Sequence, residues 1–195
     1  MNITVNNLNL NYIDCGQGEP VVLLHGWGSS SVAFNYIIKS FSDKFRMIAL
    51  DLPGFGDSDM IPEPWDVNDY ADFVAEFLKI MNIENPVLIG HSFGGRVIFK
   101  GIGEGKFSAC KIILLDSAGI KPKKSVKSKI KLAAFKTVKY FLSCPIWENA
   151  AAGLLDKARA HFGSADYNNA PLVLRQTLVK AVNEDLRHYM PSVTA

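Results

Sequence analysis

The sequence has few cysteines and no long apolar run. Its three cysteines, Cys15, Cys110 and Cys144, are widely spaced and odd in number, so they give neither a disulfide framework nor a metal-binding pattern. The N-terminus lacks the basic and apolar regions of a signal peptide, and no stretch approaches the length of a membrane span. These absences predict a cytoplasmic protein with no metal, no other cofactor and no transmembrane segment.

The formal net charge is only +2, but the charges are unevenly distributed. Residues 121–139 hold eight lysines and no acids, and the rest of the chain carries 13 basic and 19 acidic side chains. We interpret this lysine-rich segment as the solvated face of a helix. The alternative is a contact for acidic surfaces, lipid headgroups or anionic substrates. No motif that reads nucleic acid accompanies the lysines, so we expect no nucleic-acid partner.

Hydrophobic patterning predicts alternating strands and helices in the first part of the chain. Alternation around Asn6-Asn7 favours a β-hairpin. Helical spacing predicts one helix over 66–82, with Asp66 as its N-cap, and another from Ser92 to about 103. Continuous apolar runs predict buried strands at 20–24, 45–50, 86–90 and 111–116. This order is typical of an α/β fold with a mostly parallel sheet flanked by helices.

The alternation ends after Gly119. Residues 122–190 contain helical patterns and no strand candidate. We therefore predict an α/β core over 1–119, a helical cap over 120–190, and the start of a further core strand at 191–195.

The segment Gly90-His91-Ser92-Phe93-Gly94 matches the pattern G-x-S-x-G. It follows a predicted buried strand and opens a predicted helix, which is the context that a nucleophile elbow requires. Glycines on both sides of the serine permit a tight turn, and the helix N-terminus favours developing negative charge near the serine oxygen. Ser92 is therefore the candidate nucleophile.

A second motif, His25-Gly26-Trp27-Gly28, follows the strand at 20–24. Acyl transfer needs two preorganised N–H donors aimed at the tetrahedral oxyanion. We predict that these donors are the backbone amides of Trp27 and Phe93. His25 and His91 flank the site, and we expect them to support the oxyanion loop or line the pocket.

A third motif lies between these two, Asp51-Leu52-Pro53-Gly54-Phe55-Gly56-Asp57-Ser58. Together the three motifs resemble those of the serine α/β-hydrolase superfamily. The resemblance covers the whole chain. It implies hydrolysis of a small ester- or acyl-type substrate, as in esterases, prolyl-iminopeptidase-like enzymes and carbon–carbon bond hydrolases. Epoxide hydrolases and haloalkane dehalogenases of this fold have aspartate where this chain has Ser92, so those chemistries are disfavoured.

The resemblance also implies a catalytic acid and then a catalytic histidine after the nucleophile, each delivered by a later strand. No such strands are recognisable before Ala195, so we predict that the last strands and both residues are missing. Asp116, at the end of a predicted strand, is a candidate acid. His161 and His188 lie in the predicted cap and are interpreted as surface residues.

Two functional alternatives therefore stay open beside a serine hydrolase. The chain could be an inactive product that binds or assembles, or a separate C-terminal segment could complete it. Without later strands, the apolar strand at 111–116 would be an open sheet edge, which predicts self-association.

Overall fold

The structure is a computed structural model, and it describes residues 1–120, 167–168 and 170–193. The chain divides into two compact units. One comprises Met1–Lys121 and Leu172–Ala195, and the other is Pro122–Pro171. The elements below all belong to the first unit.

Six strands form one mixed sheet in the described part of the chain. They are β1 (Asn2–Val5), β2 (Leu8–Cys15), β3 (Pro20–Leu24), β4 (Arg46–Leu50), β5 (Val87–His91) and β6 (Lys111–Leu115). Their order across the sheet is β1-β2-β4-β3-β5-β6. The pairs β1·β2 and β2·β4 are antiparallel, whereas β4, β3, β5 and β6 are mutually parallel.

The helices lie between and after these strands. They are α1 (Asn35–Phe41), α2 (Val67–Ile80), α3 (Phe93–Gly103) and α4 (Leu172–Asn183), with 3₁₀ helices at Ser31–Phe34 and Arg187–Ser192. Together with the sheet they confirm the predicted α/β class, a mostly parallel sheet flanked by helices.

Local sequence signals explain two of these elements. Asn6 and Asn7 both have positive φ, 48° and 64°, as a two-residue hairpin turn between β1 and β2 requires. At the start of α2, Asp66 accepts hydrogen bonds from the amides of Asn68 and Asp69, and the Asp69 side chain accepts one from the Asp66 amide. The predicted hairpin and the predicted N-cap are both confirmed.

The register of the parallel strands positions the site. Leu24 at the end of β3 pairs with Leu50 on one side and with Gly90 on the other. In β5, His91 pairs with Leu115. The carboxyl ends of four strands therefore meet at one edge of the sheet, where open α/β folds bind their ligands.

Burial falls sharply from the centre of the sheet to β6. Leu23 and Ile48 are fully buried, as their continuous apolar runs predict. By contrast, Ile113, Leu114 and Leu115 in β6 are 38–40% exposed. Within the described residues β6 pairs only with β5, so its outer edge and part of its faces are open.

The structure differs from the predicted domain boundaries. Leu172–Ala195 belongs to the same compact unit as the first 121 residues, whereas the sequence places residues 120–190 in a cap. The physical reason is long-range pairing: Lys100 in α3 forms an ion pair with Glu184, at 2.9 Å. Residues 191 and 192 end a 3₁₀ helix and do not begin a strand. The rest of the predicted cap, including the lysine-rich segment, lies outside the described residues.

Candidate active site

Ser92 occupies a strained turn between β5 and α3. Its φ of 47° and ψ of −104° lie in a region that residues with side chains rarely adopt. A Cβ added at Gly94 would stand 2.0 Å from the carbonyl oxygen of Leu24, and one at Gly90 would stand 2.7 Å from the amide nitrogen of Gly95. The turn can therefore be this tight only because glycines stand two residues before and two residues after Ser92.

Backbone hydrogen bonds hold the turn on both sides. The Ser92 amide donates to the Leu115 carbonyl at 3.1 Å, and the Ser92 carbonyl accepts from the Ala118 amide at 3.1 Å. On the other side, the Gly94 amide donates to the His25 carbonyl at 3.0 Å. These hydrogen bonds connect the turn to the carboxyl ends of β3 and β6, which restricts how far Ser92 can move.

The two predicted oxyanion donors lie in neighbouring loops. The rings of Trp27 and Phe93 meet edge to face with centroids 5.3 Å apart, and Phe55 packs against Trp27 at 4.9 Å. Phe93 is the first residue of α3, where an amide has no intrahelical partner. Across residues 1–120 and the described part of 167–193, neither the Trp27 nor the Phe93 amide donates to another backbone group.

His25 directly follows β3 and is fully buried. Its Nε2 accepts a 2.9 Å hydrogen bond from the Leu52 amide, so the proton must be on Nδ1, which lies 2.7 Å from the Gly26 carbonyl oxygen. Burial lowers the pKa of His25 below its usual value and keeps the ring neutral. The ring thus has no exposed surface, and both of its nitrogens contact the backbone, at Gly26 and at Leu52.

Asp51 is a buried carboxylate whose contacts the sequence did not reveal. Its oxygens accept from the amides of Ser31 (2.6 Å) and Asp57 (2.9 Å) and from the Asn11 side chain (2.9 Å). Burial raises the pKa of Asp51, but these hydrogen bonds outweigh that effect and hold the pKa below its usual value. The signal that could have revealed it is Gly56, where a Cβ would stand 2.1 Å from an Asp51 carboxylate oxygen.

Two other predicted residues lie near Ser92. His91 is half-buried, and its ring closes the space beside Gly26, where a Cβ would stand 2.7 Å from Nδ1. Asp116 directly follows Leu115, has a positive φ of 44°, and is exposed. It therefore shares the sheet edge with the nucleophile.

The later histidines are not brought to this edge. His188 is exposed, and its ring lies tilted against that of Tyr189, with centroids 3.9 Å apart. Tyr189 in turn packs against Gly103 at the far end of α3, about 16 Å from Ser92 for a helix of this length. His161 lies outside the described residues. In the part of the chain that the structure describes, no histidine is hydrogen-bonded to Ser92 Oγ.

The described residues hold neither a metal-binding cluster nor a membrane-spanning helix. They contain no group of three or more His, Cys, Asp or Glu side chains that could hold a metal ion. None of the helices in these ranges is long and apolar enough to cross a membrane.

A sheet with this strand order, together with a strained serine at the β5–α3 turn, defines the class of protein. The chain belongs to the alpha/beta hydrolase fold family, whose profile matches residues 19–118.

Its curated relatives include enzymes of several chemistries. The chain is 43% identical over 83 residues to the pimeloyl-[acyl-carrier protein] methyl ester esterase of Pseudoalteromonas atlantica, covering 42% of this chain and 31% of the relative. It is 35% identical over 95 residues to a soluble epoxide hydrolase of a Corynebacterium species, covering 49% and 33%. The matched region thus spans about a third of the length of these relatives.

Solved structures share the fold over the whole chain. A bacterial membrane phospholipase A aligns with a TM-score of 0.71 and 22% identity, covering 100% of this chain and 66% of that one. An esterase from Exiguobacterium antarcticum aligns with a TM-score of 0.70 and 22% identity, covering 100% and 77%. At this identity the likeness establishes the fold alone.

Proposed function

We propose that the chain carries the nucleophile half of a serine hydrolase that acts on a small ester- or acyl-type substrate. The observation that carries this proposal is the backbone of Ser92. A serine with φ of 47° in a turn flanked by two indispensable glycines is costly, and strain of this kind is retained where a site requires it. The turn projects Ser92 beyond the carboxyl end of β5, at the N-terminus of α3.

In the proposed reaction, Ser92 Oγ attacks the substrate carbonyl and the amides of Trp27 and Phe93 bind the oxyanion that forms. The positive end of α3 favours the same charge. Attack also requires a base that accepts the Ser92 proton, because an unactivated serine hydroxyl is a weak nucleophile. His25 cannot accept that proton, since Leu52 and Gly26 occupy both of its ring nitrogens.

An ester fits this arrangement better than an epoxide. One relative is named as a methyl ester esterase and another as an epoxide hydrolase, so the two substrate classes to compare are esters and epoxides. The fold's epoxide hydrolases attack with a carboxylate, whereas this chain presents the hydroxyl of Ser92. The rings of Trp27, Phe55 and Phe93 pack against one another next to the two proposed donor amides, so an apolar acyl group is favoured there.

A second candidate function is binding or assembly without turnover, or completion by a separate C-terminal segment. Two observations favour it: no histidine among the described residues bonds to Ser92 Oγ, and β6 has an open edge. On this account Asp116 remains a candidate acid, and the later strands would be supplied by another polypeptide.

The cytoplasm is the proposed location, because Cys15 and Cys110 are both free and exposed. Thiols of this kind persist in a reducing compartment. Fractionation of the native cells tests this directly, and recovery of the protein from an oxidising compartment would contradict it.

Burst kinetics with p-nitrophenyl acetate test the proposed nucleophile and show whether a working base is present. A serine nucleophile without an efficient base should release up to one equivalent of nitrophenol per chain and then turn over very slowly. The burst should vanish in Ser92→Ala and persist in Ser108→Ala, an exposed serine outside the site. A burst that survives Ser92→Ala would contradict the proposed nucleophile. Turnover comparable with ordinary esterases would instead show that a functional acid and base are present.

A further inference from the structure

The loop that follows β6 packs directly against the first turn of α3. A Cβ added at Gly95 would stand 1.9 Å from Ser117 Oγ, so the loop and the helix are already in close contact there. The Ala118 amide in the same loop donates to the Ser92 carbonyl at 3.1 Å. We call residues 116–119 the β6 loop, and its position helps to set the position of the Ser92 peptide.

The β6 loop is strained and begins at the open edge of the described sheet. Asp116 has a positive φ of 44°, which is costly for a residue with a side chain and persists only where surrounding contacts fix it. Asp116 itself is exposed, and Ser117 Oγ donates only a long hydrogen bond, of 3.3 Å, to the Ala118 carbonyl. Contacts from outside the loop must therefore help to hold it.

Residues 184–186, which follow α4, supply such contacts on both sides of the nucleophile turn. The Leu186 amide donates to the Gly119 carbonyl at 2.9 Å, and Leu186 is fully buried. Two residues earlier, the Glu184 carbonyl accepts a hydrogen bond from Arg96 Nη1 at 3.1 Å. One short segment thus binds the β6 loop at one end and the first turn of α3 at the other.

The residue that binds this segment on the α3 side is a buried cation. Arg96 is only 5% exposed, and burial lowers the pKa of its guanidinium, while the carboxylates of Glu184 and Asp185 act in the opposite direction. Burying a charge costs desolvation free energy that an apolar side chain of similar size would avoid. What the guanidinium adds is a directed hydrogen bond, which fixes the Glu184 carbonyl relative to α3. Positioning therefore explains this arginine better than stability does.

We propose that residues 184–186 clamp the nucleophile turn, and that Arg96 is the positioning residue that closes this clamp. The proposal rests on the proposed function, because it takes Ser92 as the nucleophile. With the clamp closed, the β6 loop and α3 keep one relative position, and so does the turn between them. An error of about 1 Å in the position of a reacting group can cost roughly 100-fold in rate, so even partial release of the clamp should be measurable.

Substitutions at two places along the C-terminal segment test the clamp. Arg96→Met removes the hydrogen bond to Glu184 but keeps an unbranched side chain, and Arg96→Lys restores a donor. Tyr189→Phe is the matched control, because it removes hydrogen bonds to Lys100 and Glu104, farther along α3. Urea unfolding of each variant establishes that it is folded under the conditions of the assay.

The measurement is the rate at which a fluorophosphonate modifies Ser92, resolved into a limiting rate and a half-saturation concentration. A misplaced nucleophile lowers the limiting rate, whereas a lost binding contact raises the half-saturation concentration. We expect Arg96→Met to lose about tenfold in the limiting rate, with little change in half-saturation. Arg96→Lys and Tyr189→Phe should both stay within about threefold of wild type.

Two results would overturn the clamp and leave Ser92 as the proposed nucleophile. One is a limiting rate in Arg96→Met within about threefold of wild type, and the other is an equal loss in Tyr189→Phe. Absence of Ser92 modification in the wild-type chain would overturn the proposed function as well.

Amide hydrogen exchange of the wild-type chain gives an answer that does not depend on any variant folding. If residues 184–186 clamp the β6 loop, the amides of Leu186 and Ala118 open together, and their protection factors should agree within about tenfold. A Leu186 amide protected more than about tenfold less than that of Ala118 would show that the segment detaches without the loop, and would overturn the proposal.

Discussion

The backbone amide of Ser92 donates a hydrogen bond of 3.1 Å to the carbonyl oxygen of Leu115, the last residue of β6. The proposed nucleophile is therefore held by the strand at the open edge of the described sheet. A chain that pairs with this edge, or a substitution that distorts it, would therefore act on Ser92 through this hydrogen bond.

The open edge predicts self-association. Ile113 lies in the middle of β6 and is 40% exposed, and an apolar strand with unpaired backbone groups is a template for another chain. We expect the purified chain to form oligomers in sedimentation velocity runs, and Ile113→Lys to weaken that association by roughly tenfold, since edge lysines oppose strand pairing. Val32→Lys, at a 62% exposed site in a 3₁₀ helix, should have no such effect. A stable monomer that unfolds cooperatively at every concentration would contradict the prediction.

A methyl group at Gly94 should disrupt the nucleophile turn. It would meet the Leu24 carbonyl oxygen at 2.0 Å, a rigid backbone atom, so α3 must shift away from β3. We expect Gly94→Ala to lower the free energy of unfolding by about 3 kcal/mol, at the upper end of the usual range for overpacking, and to reduce Ser92 modification.

Gly105→Ala is the matched control for this substitution. Gly105 has φ of 67°, and its added Cβ would meet nothing within 4 Å, so only backbone strain of about 1 kcal/mol is expected. Urea denaturation of the two variants checks the difference, and equal losses would show that the close contact at Gly94 is unimportant.

Local features of this fold could be predicted from the sequence, because the residues that form them are adjacent. The hairpin follows from Asn6-Asn7, and the N-cap of α2 follows from Asp66 with Asp69 three residues later. The nucleophile turn is also local, since its glycines lie only two residues from Ser92 on either side.

The remaining features depend on contacts between distant segments, which periodicity does not report. The tautomer of His25 is set by Leu52, 27 residues away, and the charge of Asp51 is stabilised in part by Asn11, 40 residues away. For the same reason the sequence placed residues 172–190 in a cap, although Glu184 binds Lys100 across 84 residues.

The neutral state of His25 predicts a pH-dependent stability. Its pKa is lowered in the folded chain, so below about pH 6.5 the unfolded state binds a proton that the folded state does not. The free energy of unfolding should therefore decrease as the pH falls from 7 to 5, with a slope of up to about 1.4 kcal/mol per pH unit from this residue. His25→Asn should reduce the slope and His188→Gln should not. Chemical denaturation across this pH range checks both, and an unchanged slope in His25→Asn would contradict the assignment.

The ion pairs of Lys100 should hold the C-terminal part of the described chain on α3. Its Nζ lies 2.8 Å from Glu104 and 2.9 Å from Glu184, and its side chain is only 11% exposed. Because loss of the lysine would leave two carboxylates close together, we expect Lys100→Met to lower the free energy of unfolding by about 2 kcal/mol. Lys79→Met, which breaks the exposed Glu76–Lys79 pair, should cost less than about 0.5 kcal/mol.

The pH dependence of the Lys100 cluster provides a separate check. Hydrogen bonds from Lys100 and Tyr189 lower the pKa of Glu104 to about 2. The contribution of ionised Glu104 to the free energy of unfolding is therefore complete above about pH 4.5 and is lost as the pH falls towards 2. Lys100→Met should show less of this loss, as measured by thermal unfolding at each pH, and an identical pH profile would argue against the network.

The most direct test of the central claim is to locate the site of fluorophosphonate modification by peptide mass spectrometry. Modification forms a bond between Ser92 Oγ and phosphorus, releases fluoride, and passes the serine proton to solvent in the absence of an efficient base. We predict slow, stoichiometric modification confined to the peptide that contains Ser92, lost in Ser92→Ala and retained in Ser108→Ala. Modification at another residue, or modification that continues unchanged in Ser92→Ala, would contradict the assignment of Ser92 as the nucleophile.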